Sequence, residues 1–186
     1  MLSIDSGNGL VREARQIVSP NYDDRPPGCD PNLIVIHGIS LPPGEFGGPW
    51  IDQFFTNGLD SDVHPYFRDI VGRRVSAHLL IRRDGELVQY VSLSKRAWHA
   101  GDSCYEGRDS CNDFSVGIEL EGTDEAAYMD EQYERLASVI IALRRTFPSL
   151  EDAAIVGHCD IAEGRKTDPG PSFDWQRLHA LLKDSG

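Results

Sequence analysis

The alternation of apolar and polar residues along the chain predicts a sheet of buried strands. Residues 33–36 (LIVI) form a continuous apolar run rich in β-branched side chains, which indicates a strand buried on both faces. Residues 153–156 (AAIV) predict a second inner strand. Between residues 116 and 120 apolar side chains alternate with Gly117 and Glu119, and this pattern predicts a half-buried strand. An Asp-Gly pair lies between two further apolar runs and predicts a β-hairpin made of residues 77–82 and 86–92.

Helical periodicity appears between and around these strands. The strongest pattern covers residues 130–147, before Pro148, and its apolar face contains Tyr133, Leu136, Ala137, Ile140, Leu143 and Phe147. Asp174 is the expected cap of a last helix whose core positions are Trp175, Leu178 and Leu182. Shorter helices are predicted at residues 50–55 and, from the stripe of Leu10, Ala14 and Ile17, at residues 10–17. The fold class that follows is α/β (α+β), with a central mixed β-sheet flanked by helices.

Length and composition indicate a soluble globular protein with a single domain over residues 1–186. Apolar residues make up 40 % of the chain and charged residues 26 %, and the formal net charge is −12. The acidic balance predicts no nucleic acid and no membrane partner, because both need a basic surface. No apolar run reaches the roughly 18 residues of a membrane helix. The first 18 residues lack the basic and apolar segments of a secretory signal, so we expect a cytoplasmic location and free cysteine thiols.

Two histidines and one aspartate form a candidate metal site. His37 follows the strand at residues 33–36, and His158 follows the strand at residues 153–156, where loops usually carry functional groups. Pro169 favours an extended Asp168, which would project to the same side as Lys166. Two imidazoles and a carboxylate suit zinc, and three ligands leave a position for water whose pKa falls to about 7. We therefore expect one Zn²⁺ per chain.

The residue pattern leaves several assignments open. Cys159 is a competing metal ligand, although neighbours on a strand point to opposite faces and this disfavours its pairing with His158. Glu119 and Glu121 share one strand face, and either carboxylate could transfer a proton next to a metal, so spacing alone does not choose between them. His99, in the segment Trp98-His99-Ala100-Gly101, suits contact with a sugar or peptide, but it could equally belong to a small satellite core.

Ordered motifs along most of the chain resemble the type 2 N-acetylmuramoyl-L-alanine amidase superfamily. The resemblance runs from about residue 19 to residue 175 and includes a branch that acts on 1,6-anhydro-muropeptides. The motifs are His37, VSAH (75–78), RAWHAG (96–101), CNDFS (111–115), GIE (117–119), GH (157–158) and KTDPG (166–170), together with SLPPGEFGG (40–48) and HPYF (64–67).

The resemblance implies a zinc amidase with an α/β fold and assigns roles by position. The implied metal ligands are His37, His158 and Asp168. Glu119 corresponds to the catalytic glutamate and Lys166 to the cation that stabilises the transition state, so the resemblance selects Glu119 over Glu121. The implied substrate-binding residues are Tyr66, Arg74, Trp98 and His99. The implied reaction is hydrolysis of the amide between anhydro-N-acetylmuramic acid and L-Ala of a muropeptide during cell-wall recycling, and this small molecule is the expected partner.

Two positions depart from the pattern of this branch, and two other functions compete with the implied one. Gly38 stands where Asn is frequent and Ser110 where some members have Arg, which puts contacts with the peptide in question. An exported amidase acting on polymeric peptidoglycan is the first alternative. A non-catalytic peptidoglycan-binding module is the second, and the presence of all implied ligands and catalytic residues disfavours it. The basic residues considered for the anionic substrate are Arg74, Arg82, Arg108 and Arg165.

Overall fold

The centre of the computed structural model, which describes residues 2–184, is a six-stranded mixed β-sheet. In chain order the strands of the protein are β1 (Ile4–Asp5), β2 (Leu10–Val11), β3 (Arg15–Gln16), β4 (Tyr22–Asp23), β5 (Leu33–Ile39), β6 (Leu79–Ile81), β7 (Leu87–Gln89), β8 (Arg96–Ala97), β9 (Cys104–Tyr105), β10 (Arg108–Asp109), β11 (Ser115–Glu121) and β12 (Ala154–Gly157). The central sheet has the order β12-β5-β11-β6-β7-β3, and the other strands form three two-stranded ribbons. The expected mixed sheet is therefore confirmed.

Four neighbouring strands of this sheet run in the same direction. β12 and β11 both pair parallel with β5, and β6 pairs parallel with β11. β7 returns antiparallel to β6 through the turn at Asp84 and Gly85, as the sequence predicts, and β3 pairs parallel with β7. Because the first four strands are parallel, their carboxyl ends lie at one edge of the sheet, where α/β proteins place their ligand sites.

Helices cover both faces of the sheet. They are α1 (Trp50–Phe55), α2 (Asp130–Thr146), α3 (His158–Ile161) and α4 (Trp175–Asp184), with short 3-10 helices at Pro65–Asp69, Cys111–Asp113 and Pro148–Leu150. On one face the apolar stripe of α2 and Leu178 of α4 pack against Ile34, Ile36 and Ile118. On the other face Phe54 and Phe55 of α1 pack against Leu80 and Val88. The helices predicted at residues 50–55 and 130–147 are confirmed to within one or two residues, and the predicted last helix is α4, where Asp174 Oδ1 accepts the Arg177 N–H as a cap at 2.9 Å.

The predicted helix at residues 10–17 is wrong. The segment forms the short strands β2 and β3 with a turn at residues 12–14 between them, and Ile17 continues along the sheet by donating its N–H to Gln89 O at 2.9 Å. Val11 and Ala14 are buried, whereas Leu10 is 38 % exposed, so the three apolar residues of the expected stripe do not share a face. Pairing with the edge of the sheet overrides the weak local helical periodicity.

The strand predicted as half-buried is buried on both faces. All seven residues of β11 are buried, including Glu119 and Glu121. β11 lies between β5 and β6 in the middle of the sheet, so its second face is covered as well. The polar residues that alternate with the apolar ones in β11 are therefore buried functional or ion-paired groups on the second face, and they are not exposed to solvent.

Two further observations concern the expectations drawn from composition. Cys29, Cys104, Cys111 and Cys159 are all free thiols. Within residues 2–184 every helix is too short or too polar to span a bilayer.

Candidate active site

The parallel strands bring the candidate residues to one edge of the sheet. His37 in β5 and Glu119 in β11 are directly opposite each other in the parallel register. His158 is the first residue of α3, immediately after β12, which flanks β5 on the other side. The histidines are 121 residues apart in sequence, and the sheet places their side chains in contact.

His37, His158 and Asp168 converge on a common point. His158 Nδ1 lies 3.0 Å from Asp168 Oδ2 and 3.0 Å from His37 Nδ1, and His37 Nδ1 lies 3.3 Å from Asp168 Oδ2. The three ligand atoms are within 4.8 Å of one another, and both imidazoles are buried. Cys159, the competing ligand, does not belong to this group, and its Sγ lies 3.8 Å from Asp160 Oδ1.

The electrostatics of this group suit a divalent cation. Burial lowers the pKa of His37 to about 4, despite the nearby Asp168 carboxylate, so this imidazole is neutral at physiological pH. Burial opposes ionisation of Asp168, but hydrogen bonds with His158 and His37 outweigh it and hold the pKa of that carboxyl well below its usual range. Neutral imidazole and ionised carboxylate are the forms that bind zinc, so the donor set fits this metal.

Glu119 and Glu121 have different environments although they share a strand face. Glu121 accepts hydrogen bonds from Gly47 N at 2.7 Å and from Arg82 Nη1 at 3.2 Å, so it belongs to a buried ion pair. Glu119 Oε2 is buried without a hydrogen-bond partner among the residues that the structure describes. Burial, together with the charge of Asp168, raises the pKa of Glu119 to about 8, and Lys166 partly opposes the shift. A buried carboxyl with an unsatisfied oxygen next to a metal-ligand group suits proton transfer.

A cavity of about 790 Å³ opens in front of this group. Glu119, Lys166 and the three candidate metal ligands line it, so the expected shared orientation of Lys166 and Asp168 is observed. Tyr66 and His99 also lie on its wall. His99 contributes there as a buried ring that touches His37, with 2.9 Å between His37 Nε2 and His99 Nδ1.

Two predicted substrate-binding residues lie off the cavity wall as the structure describes it. Arg74 is exposed beside the cavity, and the neighbouring Arg73 lines it instead. Trp98 donates its indole N–H to Asp23 Oδ1 at 3.1 Å, and Asp23 belongs to β4, the strand that pairs with β8. Arg73 and Arg74 lie in a segment without regular secondary structure, and the sequence does not tell which of the two faces the cavity.

Two other basic residues considered for the substrate are engaged elsewhere. Arg82 is buried in ion pairs with Asp52 and Glu121. Arg165 donates to Ala100 O at 2.6 Å and so ties the loop before α4 to the loop that carries His99. Lys166 and Arg73 are therefore the cationic side chains found on the described wall of the cavity.

Tyr128 is a residue of the site that sequence analysis missed. Its hydroxyl donates to Pro169 O at 2.9 Å, next to Asp168. A Cβ atom at Gly38 would lie 2.5 Å from the same hydroxyl, so the glycine that follows His37 leaves room for Tyr128. The segment before α2 contains no pattern that would have indicated this contact.

Comparison with known proteins shows similarity over most of the chain. The family model described as N-acetylmuramoyl-L-alanine amidase matches residues 27–171. The 1,6-anhydro-N-acetylmuramyl-L-alanine amidase AmpD of Citrobacter freundii is 60 % identical over 177 residues, which are 95 % of this chain and 94 % of that protein. AmpD of Escherichia coli K12 is 60 % identical over 174 residues, covering 94 % of each chain.

The fold agrees with a solved structure of such a relative. A crystal structure of a selenomethionine AmpD derivative superposes with a TM-score of 0.92 at 60 % identity, and the match covers 96 % of this chain and 98 % of that one.

Proposed function

The chain belongs to the N-acetylmuramoyl-L-alanine amidase family, and from this premise we propose that it hydrolyses the amide between 1,6-anhydro-N-acetylmuramic acid and L-Ala of muropeptides. The observation that carries the proposal is a group of His37, His158 and Asp168 in one cavity with Glu119, whose buried Oε2 has no hydrogen-bond partner among the described residues. The high identity to AmpD supports the choice of an anhydro-muropeptide as the substrate.

We propose that the group of His37, His158 and Asp168 holds one Zn²⁺. Bound there, zinc would supply Lewis acidity toward the substrate carbonyl and activate a water molecule. The two buried imidazoles and the carboxylate would orient the ion, and the open side of the group faces the cavity.

Glu119 and Lys166 have complementary tasks in this reaction. Glu119 takes a proton from the attacking water and returns it to the nitrogen of L-Ala, so the C–N bond breaks as a carboxylic acid and a free amine form. Burial and the charge of Asp168 raise the pKa of Glu119, and the Lys166 ammonium opposes this shift and so favours the ionised form that accepts a proton. The Lys166 ammonium faces the oxygen that becomes negative in the tetrahedral transition state and stabilises this charge.

The substrate assay that tests the function uses zinc-loaded protein and two matched muropeptides, one with the anhydro sugar and one with a reduced sugar. Mass analysis of the products should show release of free peptide, and release from the anhydro compound should be faster. Faster loss of turbidity from intact wall sacculi than turnover of soluble fragments would instead support an amidase of polymeric peptidoglycan. Zinc binding with no released peptide from any substrate would support a binding module.

Replacement of Lys166 by methionine tests the second catalytic assignment. Methionine keeps a side chain of similar length without charge, so we expect kcat to fall by about 10²–10³ with little change in zinc affinity. Lys183→Met, on the helix α4 that packs on the opposite face of the sheet, is the matched control and should retain the rate. An unchanged kcat for Lys166→Met would remove this residue from the mechanism.

The cytoplasmic location stays a prediction, and it would suit recycling of wall fragments that have entered the cell. Fractionation of cells that express the native gene, followed by detection of the protein in each compartment, tests it.

A further inference from the structure

The ring of His99 contacts His37 on the side that faces away from the metal-ligand group. His37 uses Nδ1 toward His158 and Asp168, at 3.0 and 3.3 Å, and its Nε2 lies 2.9 Å from His99 Nδ1. His99 is 8 % exposed, and its other nitrogen, Nε2, lies 3.1 Å from Ser115 Oγ. The contact between the two rings therefore determines which nitrogen of His37 carries a proton.

Ser115 defines the direction of this hydrogen-bond chain. Ser115 Oγ lies 2.5 Å from Cys111 O, and a carbonyl oxygen only accepts, so the single hydroxyl proton of Ser115 points to Cys111. Toward His99 the same Oγ can therefore act only as a hydrogen-bond acceptor. His99 Nε2 must then carry the hydrogen and donate it to Ser115.

His99 is a neutral imidazole in this position. Among the described residues, the side chains that hydrogen-bond to its ring are those of His37 and Ser115, and neither carries a negative charge. A neutral imidazole with a proton on Nε2 has a bare Nδ1, so His99 Nδ1 accepts a hydrogen bond from His37 Nε2.

We propose that His99 and Ser115 hold His37 in the tautomer protonated at Nε2, so that its Nδ1 lone pair is directed at the zinc position. His99 is then a positioning residue for a metal ligand, in addition to forming part of the cavity wall. This inference rests on the proposed function only in that it takes zinc as the metal of the site.

The same short segment also orients the second imidazole. His158 Nε2 donates to Ala100 O at 3.2 Å, so residues 99 and 100 contact the outer nitrogens of both ligand histidines. Asn112 Oδ1 fixes this segment by accepting the backbone N–H groups of His99 and Ala100 at 3.0 and 2.8 Å. Gly117 leaves space for the ring, because a Cβ atom there would lie 2.4 Å from His99 Cγ. The backbone of Gly117 thus lies against the ring, and Asn112 holds the backbone from which the ring projects.

Two substitutions at His99 separate the contact with His37 from the contact with Ser115. Asparagine places a side-chain oxygen where Nδ1 lies and keeps an acceptor for His37, whereas glutamine reaches the position of Nε2 and keeps the contact with Ser115. We expect His99→Gln to weaken zinc binding by about 10–100-fold, as loss of a hydrogen-bond partner of a ligand histidine typically does. The zinc affinity of His99→Asn should lie within about tenfold of that of the unaltered protein.

Competition with a chromophoric zinc chelator measures the affinities, and urea unfolding of the zinc-free variants reports any loss of stability. If His99 had a purely structural role, the zinc affinity of each variant would correlate with its unfolding midpoint. It would then not depend on whether the variant keeps a hydrogen-bond acceptor at the position of Nδ1. Equal zinc affinity of the glutamine and asparagine variants would overturn the proposal.

Nitrogen NMR of the zinc-loaded, ¹⁵N-labelled protein provides a readout that does not depend on variants. We expect a scalar coupling across the hydrogen bond between His37 Nε2 and His99 Nδ1, and a proton on His99 Nε2. A proton on His99 Nδ1 would contradict the assigned tautomers. Tight zinc binding with the expected coupling but no hydrolysis of muropeptides would overturn the proposed function and leave the assignment of His99 standing.

Discussion

Glu119→Gln should lower kcat for muropeptide hydrolysis by about 10²–10⁴ while the zinc content stays the same. Glutamine has nearly the shape of glutamic acid but does not accept a proton from water or return one to the leaving amine. The substitution leaves His37, His158 and Asp168 unchanged, so the metal affinity should not fall. Single-turnover kinetics and elemental analysis of the same sample measure both quantities.

The stability of the Glu119 variant is a second, independent expectation. In the native protein Glu119 Oε2 is buried without a partner among the described residues, and burial raises the pKa of this carboxyl to about 8. A neutral amide removes the cost of burying an ionised group at high pH, so above pH 8 the variant should be at least as stable as the native protein. Loss of turnover without loss of stability distinguishes a catalytic group from a structural one.

Glu121→Gln is the matched control, because it changes the other buried carboxylate on the same face of β11. Glu121 pairs with Arg82 and does not line the cavity. We expect the free energy of unfolding to fall by about 1–3 kcal/mol, since Arg82 loses a charged partner, while kcat of the folded protein is retained. Full activity of Glu119→Gln, or a comparable loss of kcat in Glu121→Gln, would contradict the assignment of Glu119.

Asp168→Ala should lower zinc affinity and activity together. Binding free energies of about 10–16 kcal/mol for tetrahedral zinc sites correspond to roughly 3–4 kcal/mol per ligand, so losing one ligand should weaken affinity by about two to three orders of magnitude. The loss should be larger here than at His99, because Asp168 Oδ2 itself belongs to the group of ligand atoms. Elemental analysis after dialysis against a weak chelator, with turnover measured at added zinc, checks both effects.

Asp124→Asn is the control for this experiment, because Asp124 lines the same cavity and does not belong to the group of three. Its zinc affinity should equal that of the native protein. Retention of stoichiometric zinc by Asp168→Ala would exclude Asp168 as a ligand and would require a different donor set.

Much of the fold could be predicted from local patterns, and the failures share a cause. The periodicity of α2 and the Asp-Gly turn between β6 and β7 are properties of single elements, and both are confirmed. β3 was predicted as part of a helix because its extended form depends on pairing with β7, which is more than 70 residues away, whereas β2 pairs with the nearby β1. Local sequence contains no information about that edge.

Some residues of the candidate site could likewise be predicted from the sequence, and others could not. Residue types and the family resemblance identified His37, His158, Asp168, Glu119 and Lys166, and the structure brings all five to one cavity. The resemblance also assigned Arg74 and Trp98 to the substrate, but the described cavity wall contains Arg73 instead of Arg74. Both arginines lie outside the strands, in a segment held by contacts with distant residues such as the hydrogen bond from Asn21 Nδ2 to Val75 O, so local sequence does not decide which of the two faces the cavity.

By itself the sequence determined the class of fold, the family and the chemical groups available for catalysis, because these follow from periodicity, residue type and ordered motifs. Only the tertiary structure decided that Glu119 Oε2 is buried with no hydrogen-bond partner among residues 2–184 while Glu121 is neutralised by Arg82, since both glutamates lie on one face of β11 and differ in what packs against them. It also decided that His99 contacts His37, across 62 residues of chain. The physical reason is that the charge state and hydrogen bonding of a buried group depend on its neighbours in space, whereas a sequence pattern records only its neighbours along the chain.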